Sequence, residues 1–441
     1  MSKRSVVITG IGPITAFGLG IDPLWSALIE GRSAIAPISR FNPSSFPCRL
    51  GAELPDDRFN VRDVVPKNYR KATKVMARDI ELAVGAALAA VQDAGLNTKG
   101  IDPDQPPTID PDRFGCHIGA GLIAADVEEL AAAFHESRTP DGEFDLHVWG
   151  ARGMENLTPL WLLKYLPNML ACHVTIIHDC RGPSNTITCN EASALLSLGE
   201  SVRVIERGQA IACLTGGAEY KLNPMGVLRQ HFARRLAPTP DGVDPATVVR
   251  PFDPAAVGSV LGEGGGILVV EAEDSAAARG ARVYARVAGF GSSQSFCPDT
   301  VGLAPDPDDT GIDAAIENAL RDGGLGPESI DAIVPFGSGI PSVDAAEAAA
   351  IRRVFGPRAA DIPLVTVVPN VGNCCAGMAA VSMCVAAKCL REQMLPARLS
   401  ATVTPGLNAA AAPARPALLR HVLVMVTSMG GQNAAVVMGR G

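Results

Sequence analysis

Aromatic residues are scarce: three Trp, four Tyr and thirteen Phe supply 5% of the 441 residues. The core must therefore be filled by Ala, Val, Leu and Ile. Charge is thin as well, 19% against 47% hydrophobic residues, which excludes a disordered or fibrous chain. There is no basic excess: 38 Lys and Arg face 46 Asp and Glu, giving a net charge of −8. A nucleic-acid partner, which needs a basic face, is not expected. No Cys-x-x-Cys pair occurs, so the usual zinc and dithiol spacings are missing. No metal and no cofactor are expected. The eleven cysteines read as small buried hydrophobes of a reducing compartment. The first nine residues, MSKRSVVIT, lack the apolar run of an export signal, so the expected location is cytoplasmic. The most apolar stretch, residues 364–390, is broken by Pro369, Asn370, Gly372 and Asn373. What remains of it is too short to span a bilayer.

Strand-like and helix-like segments alternate along the chain. Residues 5–9 read as a strand leading into a glycine turn, while 22–30 and 77–93 carry helical periodicity. A strand is expected at 174–178, an apolar helix at 192–207 and a strand at 210–215. Further on, 260–271 and 283–290 read as strands, and 313–321 and 345–355 as helices. Residues 332–334 and 364–368 read as strands, 376–387 as a buried helix, and 421–427 as a strand with 434–438 as its hairpin partner. Proline and aspartate make loops of 97–112 and 297–311. The pattern is α/β with buried sheets. A division near residue 253 gives two halves, 1–253 and 254–441, that each run strand, helix, strand.

Two glycine clusters invite a phosphate-binding reading. Gly10-Ile-Gly12 is followed by Pro13, which has no N–H, and by Thr15 where the dinucleotide fingerprint has glycine. It reads as an ordinary glycine turn after a strand. Gly262-Glu-Gly-Gly-Gly266 lacks the Lys-Ser/Thr of a phosphate loop and reads as close backbone packing. The informative segment is Arg181-Gly-Pro-Ser-Asn-Thr-Ile-Thr-Cys-Asn-Glu-Ala-Ser193. A short polar turn here meets an apolar helix, and such a turn presents one side chain at the helix N-terminus, where the dipole favours an anion. That side chain is Glu191.

The chain resembles the elongating β-ketoacyl-acyl-carrier-protein synthases of fatty-acid and polyketide synthesis. The resemblance is carried by Gly182-Pro-Ser184 before Cys189-Asn190-Glu191, and by Val6-Val-Ile-Thr-Gly10, Gly216-Gly-Ala-Glu219, Arg250-Pro-Phe-Asp253, Leu261-Gly-Glu-Gly264, Gly280-Ala-Arg282 and Ile351-Arg-Arg-Val-Phe-Gly356. It implies a thiolase-like α/β fold of two related halves in five layers. It also implies that the chemistry is altered. Glu191 stands at the nucleophilic cysteine position, Phe336 and Asn373 at the two histidine positions, and Val368 at the lysine position. Met429, before Gly430-Gly431, replaces the phenylalanine of the gating loop, and Asp344 and Glu347 match retained acids. Cys189, Asn190, Met429, Gly430 and Gly431 are the implied substrate-binding neighbours. Lys67, Arg70, Lys71 and Lys74 are read either as a docking site for an acidic acyl carrier protein or as a solvated helix face, with Arg229, Arg234 and Arg235 as an extension of that patch.

Condensation needs a thiolate to carry the acyl chain and imidazoles to assist malonyl decarboxylation. A carboxylate carries an acyl chain only as a high-energy anhydride. The leading expectation is a chain-length-factor-like subunit that pairs with an active ketosynthase and shapes its acyl tunnel. The alternatives are an enzyme using Glu191 for another acyl-carrier reaction, such as malonyl decarboxylation, and a homodimeric carrier-binding protein without chemistry. Glu191 itself has three readings: a base with its pKa raised by burial, an ionised plug hydrogen-bonded by Asn190 or Asn373, or an inert relic. Cys189, His173 and His178 read as structural, and Cys374 and Cys375 as candidate pocket residues.

Overall fold

The computed structural model describes residues 4–400 and 402–441. Its main strands are β1 (Val6–Thr15), β2 (Phe114–Gly119), β3 (Ser184–Ile187), β4 (Ala212–Glu219), β5 (Gly264–Ala272), β6 (Ala285–Gln294), β7 (Ala332–Val334), β8 (His421–Thr427) and β9 (Gln432–Arg440). The helices that pack on them are α1 (Ile21–Ile29), α2 (Arg78–Asp93), α3 (Met169–His178), α4 (Ser193–Glu206), α5 (Pro224–Phe232), α6 (Gly311–Asp322), α7 (Pro341–Phe355) and α8 (Met378–Glu392).

The strand order β7-β8-β9-β6-β1-β5-β4-β2-β3 contains one pattern twice. From β1 outwards the first half runs first, last, fourth, second and third strand. From β6 outwards the second half does the same, its third position filled by the single parallel bridge of Leu364 to Ile333. The changeover lies between β5 and β6, at 272–285, downstream of the expected division at 253, because β5 is held between β1 and β4. Only three residue pairs, Val6–Val287 to Ile8–Ala285, join β1 to β6.

Helices α4 and α8 lie between the two half-sheets, α2 and α3 cover the outer face of the first, and α6 and α7 cover the second. This is the five-layered, thiolase-like arrangement. Three large apolar clusters and a small one around Ile38, Leu222 and Val227 fill it. The central one includes Leu195, Leu198, Val381 and Val424; the outer ones include Ile80, Val84 and Val269, and Ile312, Ile316 and Val437.

The duplication extends to single residues. Gly10 and Gly12 do not form a turn; they lie within β1, where a Cβ would stand 2.3 Å from the Ala90 carbonyl oxygen and 2.2 Å from that of Ala86 on α2. Gly289 and Gly291 of β6 meet Ala319 and Ala315 of α6 at 2.2 Å each. Both strands carry a register shift just before the first glycine. The residue after each first glycine donates its N–H to an aspartate ending the helix, Ile11 to Asp93 at 2.9 Å and Phe290 to Asp322 at 3.0 Å. The glycines let helix backbone approach sheet backbone. Gly262, Gly264 and Gly265 likewise face backbone oxygens at 2.0, 2.3 and 2.1 Å, as their close-packing reading requires.

Two expected strands are something else. Residues 174–178 belong to α3, because Leu170, Val174 and Ile177 share one buried helical face despite their β-branched neighbours. Residues 364–368 make only the bridge at Leu364, and Val368–Val371 form a helical turn with Pro369 at its start, where a missing N–H costs nothing. No helix among the described residues is long and apolar enough to cross a membrane.

Candidate functional site

Helix α4 is entered through a sharp turn. Asn190 adopts φ +47°, a left-handed conformation that Asn tolerates better than most residues. Residues Asn190–Ala192 form one 3₁₀ turn. Ser193 Oγ pins it, accepting the Cys189 N–H at 2.8 Å and donating to the Asn190 carbonyl at 2.6 Å. This turn aims Glu191 into the protein, where it is 2% exposed.

One oxygen of the Glu191 carboxylate accepts from Arg235 Nη2 at 2.5 Å and from Asn373 Nδ2 at 3.4 Å. The other accepts the Met429 N–H at 3.1 Å. Burial alone would push this carboxyl upward. The charge of Arg235, the Met429 N–H, its own N–H and the Asn373 amide outweigh burial and hold it below the ordinary value. This direction favours the ionised plug over the base with a raised pKa. Asn190 does not bond Glu191; its Nδ2 donates to the Met429 carbonyl at 3.0 Å. Met429 is thus gripped at both its N–H and its C=O. The turn beyond it is closed by the Gly430 N–H on the Leu303 carbonyl at 3.0 Å and by Gln294 Nε2 on the Gly430 carbonyl at 2.6 Å.

Arg235 corrects a second expectation. It does not extend a surface patch; it is 2% exposed and belongs to the site, whereas Arg229 and Arg234 are exposed. Nothing in Phe232-Ala-Arg-Arg-Leu-Ala237 marks which arginine turns inward, so sequence reasoning missed it.

A second turn faces the first. Asn373 Oδ1 accepts the Cys375 N–H at 2.8 Å, Cys375 has φ +47°, and α8 follows. Here the Ala376 N–H is met by Glu219 Oε2 at 2.8 Å, and Glu219 pairs with the half-buried Lys221. A Cβ at Gly121 would lie 1.6 Å from Glu219 Oε1, so any larger residue there displaces this carboxylate. Beside them burial and the charge of Glu219 push Asp79 up to about 7, against the Tyr220 N–H and Lys221.

The remaining candidates fall into three groups. Phe336 and Val368 are buried in the central apolar cluster with Ala192 and Cys374, and neither presents a polar group to Glu191. The backbone around Phe336 is held by two buried acids: Glu347 accepts the N–H groups of Phe336 and Gly337 at 3.0 and 2.8 Å, and Asp344 those of Ser338 and Gly339 at 2.9 and 3.0 Å. Burial raises the thiol pKa of Cys189, Cys374 and Cys375, away from the thiolate a nucleophile needs. Lys67, Arg70, Lys71 and Lys74 are exposed along Lys67–Val75, while Tyr69 in their midst turns inward to His173 Nδ1 at 2.8 Å. His178 Nδ1 pairs with Thr98 Oγ1 at 2.9 Å, and burial pushes its pKa down to about 4. Both histidines are structural. Among the described residues no three His, Cys, Asp or Glu groups could share a metal ion.

Comparison with known proteins agrees with this architecture. Residues 3–276 match the beta-ketoacyl synthase N-terminal domain, and residues 284–402 match its C-terminal domain. The chain therefore belongs to the β-ketoacyl synthase family. It is 31% identical to 3-oxoacyl-[acyl-carrier-protein] synthase 2 of Coxiella burnetii, over 90% of this chain and 88% of that protein. It is also 31% identical to the actinorhodin polyketide putative beta-ketoacyl synthase 2 of Streptomyces coelicolor, over 99% and 98%. The solved ishigamide ketosynthase/chain length factor superposes with a TM-score of 0.81 at 28% identity, covering all of both chains. The protein is thus ketosynthase-like, related to synthases of both fatty-acid and type II polyketide assembly.

Proposed function

We propose that the chain does not condense acyl groups by itself and acts as the partner subunit of an active ketosynthase, shaping the tunnel that receives the growing chain. The observation that carries this reading is the Glu191 carboxylate, buried and bonded at both oxygens at the start of α4. Its partners are a guanidinium, an amide and backbone N–H groups, with no thiol or imidazole among them. The likeness to a ketosynthase/chain length factor supports the same reading. An acyl carrier protein docks, in this reading, on Lys67, Arg70, Lys71 and Lys74, whose charges complement an acidic partner.

Intact-mass analysis of malonyl- and acyl-loaded carrier protein, each mixed with this chain alone, tests it. The expected result is no loss of carbon dioxide, no chain transfer and no hydrolysis. A mass change that Glu191→Ala abolishes would replace the proposal with an enzyme using that carboxylate.

A further inference from the structure

Several hydrogen-bond donors converge on one buried point at the start of α4. Arg235 Nη2 stands 2.5 Å from the Glu191 carboxylate, the Met429 N–H 3.1 Å and Asn373 Nδ2 3.4 Å, and the N–H of Glu191 itself adds to them. One cation, one amide and two backbone N–H groups at a helix start make up the chemistry of a carboxylate receptor. Arg235, Asn373 and Met429 come from three loops far apart in sequence, so the fold builds the receptor independently of the residue that fills it. The cation also has donors to spare: Nε and Nη1 of Arg235 are buried with no acceptor. A guanidinium so placed demands an anion, because an unpaired buried charge is expensive.

We infer that this is a carboxylate-binding site whose occupant, Glu191, is tethered in place, and that it takes a free small carboxylate once the tether is cut. The inference deepens the proposed function and rests on it in one respect: a site already filled by an internal carboxylate turns away the carbonyl or carboxylate of an incoming acyl group. The ligand class follows from atom counting. Glu191→Ala removes one methylene and one carboxylate, the carbon skeleton of acetate. Formate is one carbon short and propionate one carbon long.

Thermal melts of full-length Glu191→Ala, in sodium acetate or in sodium chloride of equal ionic strength at neutral pH, test the site. Acetate raises the unfolding midpoint of this variant by about 2 °C or more, and formate and propionate raise it less. The unaltered chain and Glu191→Ala/Arg235→Met respond to acetate no more than to chloride. An equal response from all three proteins, or none from Glu191→Ala, overturns the inference. Where Glu191→Ala does not fold in chloride, refolding yield is the readout: recovery in acetate alone supports the site, and no recovery in acetate overturns it. Because these melts read binding and not turnover, acyl transfer by the unaltered chain would defeat the proposed function without touching this result.

Discussion

The turns that open α4 and α8 are built alike and filled differently. Each has a residue at φ +47°, Asn190 in one and Cys375 in the other, followed by a 3₁₀ turn and a buried helix. Each ends with an anion at the helix start and a cation beside it. At α8 the anion is Glu219, brought from the end of β4 and paired with Lys221 two residues on. At α4 it is Glu191, on the turn itself, and its cation comes from 44 residues away. Helix starts inside a protein need acceptors for their free N–H groups, and both halves meet that need with a carboxylate. The difference is one of position. Glu219 reaches across from the first half to the α8 turn of the second, whereas Glu191 sits on its own turn and also takes the N–H of Met429.

The largest effect is expected from breaking the α4 pair. Arg235→Met leaves a buried carboxylate without its cation and destabilises by about 3–5 kcal/mol, read from urea melts. The pH dependence also changes sign. In the unaltered protein the Glu191 carboxyl is held low, so its contribution is present above an ordinary value near 4.5 and is lost as pH falls through the lowered folded value. Without Arg235 the largest force opposing burial is gone, the folded value rises, and stability falls as pH climbs from 4.5 towards neutrality. Glu191→Gln/Arg235→Met recovers most of the loss, because both charges leave together.

The repeated glycines sharpen the comparison from the structural side. Gly10→Ala and Gly289→Ala each force a Cβ against a helix carbonyl, at 2.3 and 2.2 Å. Each should cost about 1–3 kcal/mol, by similar amounts, in the same denaturant titration. A large inequality would mean that the halves share a path through space but not their packing.

A smaller effect belongs to the second half alone. Glu347 is pushed up to about 8, by burial and then by the charge of Asp344, against the N–H groups of Gly337 and Phe336. A raised carboxyl stabilises below its unfolded value and loses that contribution as pH rises through 8. Glu347→Gln flattens the fall between pH 5 and 8 by up to about 1 kcal/mol per pH unit. It adds a pH-independent cost of about 1 kcal/mol, since an amide accepts only one of the two N–H groups well. The smallest effect on the fold is that of Lys67→Glu/Lys71→Glu/Lys74→Glu, within about 0.5 kcal/mol at exposed positions. It should still weaken carrier-protein binding severalfold in a low-salt titration, and unchanged binding would place the docking face elsewhere.

Much of this was legible because it is local. Periodicity marked α2 and α4, and the β8–β9 hairpin follows from two short apolar runs flanking Gly430-Gly431. Helix α3 was hidden because Val174, Thr175, Ile176 and Ile177 are β-branched, and only burial shows that they share a helical face. At the site, Glu191, Asn373 and Met429 were placed by motif, and the structure does bring them together. Arg235 could not be read from motif or spacing, because what makes it part of the site is a contact between distant loops.

The central claim is that Arg235 holds Glu191 as an ionised plug and not as a proton-carrying base. Infrared difference spectra between the unaltered chain and Glu191→Gln, followed from neutral pH to acid, measure this directly. The account predicts a carboxylate band assigned to Glu191 at neutral pH, with the protonated C=O band absent until the pH falls below the ordinary range for Glu. A protonated Glu191 band already present near neutrality would contradict it.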